Sequence, residues 1–269
     1  MAYQIRPLSF AEILDRSLRV LIDNALVLIG FSAIVWVPYQ FLAAAGKWMQ
    51  MVAVLLLLGL APLVQAALTR AVVEIYLDRK ITIQGAYRTA KEIFLPFFGT
   101  YLLFYVALLA LAAPVGIVAA LGIRGHASSG VFVLLFLVVI VVMVYLLVRW
   151  TLIGPIMIAE GRFGTSALGR SAALTKGAWW RSWGISAAAV LIVQVPVSVL
   201  SFIWHSIPIV GTRLSGLAFS VVSTYSVLAI TIYYFDRRCR VEYFDLHLLA
   251  GQIRAEAATG AAPGAAPVA

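Results

Sequence analysis

The chain has 269 residues, of which 63% are hydrophobic and only 12% charged, with a mean hydropathy of +1.01. Soluble domains carry roughly 25% charged residues, so this chain lacks the polar side chains to cover a water-facing surface, and lipid is its natural solvent. The formal net charge of +9 is spread as membrane topology demands rather than as a nucleic-acid footprint.

The first predicted element is an amphipathic helix. Ser9 and Glu12 form a capping-box pattern, and Phe10, Ile13, Leu14, Leu18 and Leu21 fall on one face, opposite Glu12, Asp15, Arg16 and Arg19. Two stretches without Asp, Glu, Lys or Arg follow, Ala25–Gly46 and Trp48–Thr69. A helix needs about 20 apolar residues to cross the hydrocarbon core, so each reads as a span. The triplet Ala43, Ala44, Ala45 imitates a signal cleavage site, but the apolar run before it is too long for a signal core. Beyond the second span, Arg70 and Glu74 are four apart and share a helix face.

A second interfacial helix is capped by Thr82 and carries the stripe Ile83, Ala86, Tyr87, Ala90 and Phe94. Spans three and four are Ile93–Ile123 and Val131–Val148, with Gly122–Gly130 as the turn between them. Arg149 closes the fourth apolar run eleven residues before Glu160, roughly 16 Å away along a straight helix. Three readings of it stay open: snorkelling to head groups, pairing with Glu74, or binding an anionic ligand. A third amphipathic helix runs from Thr165 or Ser166 to Lys176, with a weaker face on Ala167, Leu168 and Ala172. Spans five and six are Ser182–Thr212 and Leu214–Phe235, joined by a turn over Ser206–Arg213. After them, Asp236–Arg240 and Arg238–Glu242 are expected to make i,i+4 pairs on a solvated helix, with Tyr243, Phe244, Leu246 and Leu249 as the residues expected to pack it back on the bundle. The Ala/Gly/Pro tail 251–269 buries too little to order itself.

Six spans divide the chain between two sides. All 20 Lys and Arg except Lys47, Arg124 and Arg213 fall on the side of the termini, with all 11 acids. By the positive-inside rule both termini are cytoplasmic, in the inner membrane. The pairs Arg16-Ser17, Arg88-Thr89 and Arg170-Ser171 recur at intervals of 72 and 82 residues. Ten residues before each arginine stands a charge, at Arg6, Asp78 and Glu160, and prolines Pro38, Pro114 and Pro196 recur in the following spans. The expected fold is therefore an all-α integral membrane domain over 1–250. Its six transmembrane helices form three parallel repeats of an amphipathic interfacial helix plus two spans, in units of about 6–77, 78–159 and 160–249.

Catalytic chemistry is not legible. His126, His205 and His247 lack the spacing of a metal site, no phosphate loop or nucleophile elbow occurs, and no catalytic, metal or cofactor residues are assigned. Cys239 stands alone, so no intrachain disulfide forms, and its thiol reads as incidental. Pro38, Pro62, Pro114, Pro155 and Pro196 are expected to kink their helices. Gln40, Gln65 and Gln194 then either line a polar cavity or bond neighbouring helices.

The stretches RPLSFAEILDRSLRVLIDNALVLI, ITIQGAYRTA, RWTLIGPIMIAEGRFGTSALGRSAALTKGAWW and YYFDRRCRVEYFDLHLL together resemble the glycerophosphoryl diester phosphodiesterase membrane-domain family of prokaryotes, over roughly residues 5–250. The last is similar to that family's D-x-R-x-R-x-E-x-x-D pattern through Asp236, Arg238, Arg240, Glu242 and Asp245, although Phe235 separates the tyrosine pair from Asp236. The resemblance implies a stand-alone membrane module without the soluble barrel that carries phosphodiesterase chemistry in fused members. The expected function is anchoring, assembly or lipid handling linked to phospholipid-derived substrates. A transporter or permease-like protein for a small amphiphile is the alternative. Arg70, Glu74 and Arg149 are the candidate anionic-lipid or ligand contacts. The expected partners are membrane lipids, through anionic head groups on the cytoplasmic side, and an unidentified membrane or cytosolic protein.

Overall fold

The structure, a computed structural model, describes residues 6–76, 83–123, 129–204, 208–246 and 249–250. Asp78, Thr82, Arg124, His126, His205, His247 and the tail 251–269 lie outside the described residues, as do the side chains of Ile83, Ala86, Tyr87 and Arg213. Ten helices and no strand occur among the described residues: α1 (Phe10–Asp23), α2 (Ala25–Ala44), α3 (Lys47–Tyr76), α4 (Ile83–Glu92), α5 (Phe94–Ile123), α6 (Ser129–Arg149), α7 (Ile153–Glu160), α8 (Thr165–Thr175), α9 (Trp179–Trp204) and α10 (Pro208–Glu242). Six segments are long and apolar enough to cross a membrane: Ala25–Ala43, Lys47–Tyr76, Phe94–Ala119, Phe132–Glu160, Trp179–Val199 and Ala218–Glu242. Of the turn expected over Ser206–Arg213, the part from Pro208 onward is helical, because α10 already begins at Pro208, where a missing N–H costs nothing.

The capping box of α1 is formed: the Glu12 amide donates to Ser9 Oγ at 3.2 Å and the Ser9 amide to Glu12 Oε2 at 2.6 Å. The buried face of α1 is rotated from the expected stripe. It comprises Ile13, Ser17, Val20 and Leu21, while Phe10 and Leu18 are each 40% exposed. Ser17 enters this face because its hydroxyl donates to the Ile13 carbonyl at 2.6 Å, which removes its polarity locally. Between α2 and α3 the chain reverses at Gly46, with φ at 122°, a conformation open only to glycine at low cost.

Pro38, Pro62, Pro114 and Pro196 lie inside helices as expected. Pro155 does not kink its helix. It sits in the first turn of α7, where no intrahelical N–H is required. The break falls earlier, over Trp150–Leu152, where the amides of Thr151 and Ile153 bond carbonyls three residues back in the tighter 3₁₀ manner.

The axis of the bundle is α10. Along its apolar stretch 72% of residues are buried, against none along the apolar stretch of α5, so α10 is enclosed by protein and α5 stands at the periphery. Around α10 pack α2, α9, α1, α3, α7 and α8. Its buried Tyr225, Leu228, Ile232, Tyr233, Tyr234 and Phe235 supply much of the core, and Phe235 stacks on Tyr76 at 5.0 Å. Hydroxyls lock this packing: Ser32 and Thr224 bond at 2.8 Å, Ser182 and Tyr233 at 2.6 Å, and Tyr225 donates to the Leu14 carbonyl at 3.1 Å. Such interhelical bonds matter where lipid removes the hydrophobic drive between helices.

Candidate functional site

At one end of the bundle the last turns of α10 present charges to three neighbours. Asp236 and Arg240 share one face, Arg238 and Glu242 a second, and Arg237 a third, as the helical repeat requires. The Asp236 side chain is wholly buried. Its Oδ1 accepts from the Leu8 amide at 2.8 Å and Arg240 Nε at 2.9 Å, and its Oδ2 from Arg181 Nη2 at 3.1 Å. Both arginines also donate to the Leu8 carbonyl, Arg181 at 2.7 Å and Arg240 at 2.6 Å. A closed ring of carboxylate, the Leu8 backbone N–H and C=O, and two guanidiniums thus fastens the segment before α1 to α9 and α10. The sequence put Asp236–Arg240 on a solvated surface. The pairing is as expected and the setting is not, because the Leu8 peptide and Arg181 cover the carboxylate.

On the second face, Arg170 of α8 grips Glu160 with Nε at 2.9 Å and Nη2 at 3.0 Å and also pairs with Glu242. Arg238 Nε holds Glu242 at 3.0 Å and its guanidinium lies 4.0 Å from the Phe244 ring centroid. Tyr234 donates to Glu160 at 3.0 Å. Burial disfavours the Arg170 cation, but hydrogen bonds and charge from Glu160 and Glu242 outweigh it and raise its pKa. On the third face, the nearly buried Arg237 donates to the Leu174 carbonyl at 2.8 Å and the Lys176 carbonyl at 3.4 Å. It thereby satisfies the carbonyls that the end of α8 leaves unpaired. Asp245 follows the turn at Tyr243 and joins none of these ion pairs.

The three Arg-Ser/Thr pairs have different neighbours. Arg16 donates to the Tyr76 hydroxyl at 2.9 Å. Arg88 pairs with Glu92 at 3.7 Å on an exposed surface, with Thr89 beside it in α4. Ser171 bridges the break between α6 and α7, donating to the Arg149 carbonyl at 2.9 Å and accepting from the Leu152 amide at 3.2 Å. Thr175 adds a bond to the same Arg149 carbonyl at 3.2 Å.

Arg70 and Glu74 pair at 2.5 Å within α3. No described ion pair joins Arg149 to Glu74; the exposed Arg149 donates to the Tyr145 hydroxyl, its guanidinium 5.7 Å from that ring centroid. Tyr145 lines an open cleft of about 560 Å³ between α6 and α9, with Ile140, Val141, Val144, Trp179 and Trp180. Pro38 borders not a polar cavity but a small apolar one of about 80 Å³ between α2 and α3. Gln194 bonds Ser198 in its own helix at 3.1 Å. Among the described residues no three His, Cys, Asp or Glu converge as metal ligands, and Cys239 is buried.

Sequence reasoning missed Arg181, Arg237, Tyr234 and the Leu8 peptide. The run of three arginines around Cys239 was the available signal for Arg237, since a fully helical reading places one of them on each side of the helix.

Six apolar spans, one of them the central α10, closed at one end by paired charges, make this a multi-pass α-helical membrane protein. The chain belongs to the family described as "Domain of unknown function (DUF8558)", whose model matches residues 5–252. No curated protein and no solved structure matches it.

Proposed function

We propose that the chain is a non-catalytic polytopic membrane module that handles or organises phospholipid, set in the cytoplasmic membrane with both termini inside. The observation that carries this reading is the fate of the acids. Asp236, Glu160 and Glu242 are the carboxylates best placed for acid–base work, and each is already held by at least two arginines. A general acid or base needs a proton it can exchange with substrate, whereas these groups fasten helices together. The resemblance to the glycerophosphoryl diester phosphodiesterase membrane domain supports a phospholipid context, and the Lys/Arg distribution supports the orientation. Three parallel units fit the same reading, since α1, α4 and α8 each precede two spans in chain order.

The test is reconstitution in liposomes of phosphatidylglycerol and phosphatidylethanolamine, with head-group and glycerophosphodiester release followed by phosphorus NMR. The expected result is no turnover above empty liposomes. Turnover that Glu160→Gln or Asp236→Asn abolishes, in variants that still fold, would overturn the non-catalytic reading. Reporter fusions after residues 127 and 255 should report opposite sides of the membrane.

A further inference from the structure

The cleft between α6 and α9 combines three features that the charge network does not explain. Its walls are apolar and outward-facing, with Val141 67% and Trp180 76% exposed. Its volume of about 560 Å³ falls in the range of ligand pockets, roughly 300–1,000 Å³. Arg149 does not line the cleft but is tied to it through Tyr145, a lining residue that takes one of its five N–H donors, and no ion pair among the described residues involves Arg149. Lys176, also exposed, follows Thr175, whose hydroxyl bonds the Arg149 carbonyl. The acids of this end, Glu160, Asp236 and Glu242, are meanwhile paired with other arginines. The Trp179 indole N–H at the cleft is buried without a partner.

We infer that this cleft is a binding site for one anionic phospholipid, its phosphate on the Arg149 guanidinium and an acyl chain along Ile140, Val141 and Val144. The inference rests on the lipid-handling reading and gives it a place. Charge complementarity selects an anion: arginine offers phosphate a planar two-pronged fork, and Lys176 adds a second cation nearby. Length selects a lipid over a partner helix. From Ile140 to Arg149 the α6 helix rises about 14 Å, close to half of the roughly 30 Å hydrocarbon core. That is the depth of one leaflet, whereas a docked spanning helix would need a groove twice as long.

The experiment uses the full chain, delipidated in detergent and titrated with dioleoyl phosphatidylglycerol or dioleoyl phosphatidylcholine under native mass spectrometry, with melting followed in parallel. Three variants are compared: Arg149→Gln removes the charge, Arg149→Lys keeps the charge but not the fork, and Val144→Trp fills the cleft while leaving the arginine. We expect one phosphatidylglycerol per chain, with affinity about tenfold lower in Arg149→Gln and in Val144→Trp at unchanged melting midpoint. Arg149→Lys should fall between, phosphatidylcholine should bind about tenfold more weakly, and millimolar inorganic phosphate should not displace the lipid. Phosphatidylglycerol binding unchanged in both Arg149→Gln and Val144→Trp would overturn the cleft as the site and leave lipid handling standing. A parent chain that binds no lipid would remove both. Conversion of a dimer to a monomer by Val144→Trp, at unchanged lipid affinity, would assign the cleft to a second copy and overturn the lipid site.

Discussion

Asp236 is the charge whose removal the structure makes most costly. Asp236→Asn conserves volume and leaves one oxygen for the Leu8 amide. It deletes the negative charge between Arg181 and Arg240 and turns one acceptor into a donor facing a guanidinium. Removing one partner of a buried ion pair costs about 3–5 kcal/mol. Here both arginines keep the Leu8 carbonyl and are 27% and 38% exposed, so they recover hydration and the cost falls to about 2–3 kcal/mol. For a chain of this size that lowers the melting midpoint by about 5–10 °C. Cys239, the single cysteine and buried three residues from Asp236, supplies the assay: a fluorogenic thiol reagent reads unfolding as its exposure. Asp236→Asn combined with Arg181→Gln should recover part of the loss. A fall of less than about 2 °C in the single variant, or strictly additive losses, would refute the ring as a structural clamp.

Three further outcomes follow from local geometry. The Ser9 amide, then Arg6, hold the Glu12 carboxyl at about 2, below its ordinary 4.5. Its stabilising effect on the start of α1 is therefore complete above pH 4.5 and is lost as pH falls toward 2; the protection factors of the first α1 amides, taken against the intrinsic exchange rate at each pH, should fall over that window, and Glu12→Gln should abolish that fall. Ser171→Ala leaves the buried Leu152 amide without its partner, while the Arg149 carbonyl keeps Thr175, so melting should show a loss of about 1–3 kcal/mol; a silent substitution would mean that another group bridges the break. Tyr243 sits just past α10 at φ 54° and is 65% exposed, and side chains other than glycine cost about 1–2 kcal/mol in that conformation. Tyr243→Gly should therefore raise the midpoint, with a lowered midpoint showing that the ring packs usefully.

The six spans were legible because span length and charge exclusion are composition-level properties, fixed by the thickness of the bilayer. The α1 cap was legible because Ser9 and Glu12 interact within one turn. The ten-residue spacing of Glu160 and Arg170 was visible in the sequence, and the structure closes it into an ion pair across the Gly161–Gly164 turn, with φ at 64° and 62°. The Asp236–Arg240 and Arg238–Glu242 pairs were legible for the same local reason, but not the burial around them. Asp236 is enclosed by Leu8 and Arg181, partners 228 and 55 residues away, and no periodicity in a single sequence encodes such distant pairing. Arg237 was hidden because its partners are the Leu174 and Lys176 carbonyls, and backbone groups have no residue signature. The rotated face of α1 had a similar cause, since the hydrogen bond that makes Ser17 apolar is internal to the helix.

Why charges rather than apolar residues close this end follows from the solvent. In lipid, apolar side chains gain little by leaving one apolar environment for another, so packing alone weakly selects one arrangement of helices. A central helix touching six neighbours is especially free to slide or rotate among similar Leu, Ile and Val contacts. The end of α10 removes that freedom by directing three faces at three groups: Asp236 at the Leu8 peptide and Arg181, Glu242 with Arg238 at Arg170, and Arg237 at the end of α8. Sliding α10 by one residue would rotate each charge by about 100° and strand all three networks together. Ion pairs of this kind add less net stability than their number suggests, but they penalise every wrong register. In this chain they fix the bundle, while Arg149, outside them, stays available at the lateral cleft.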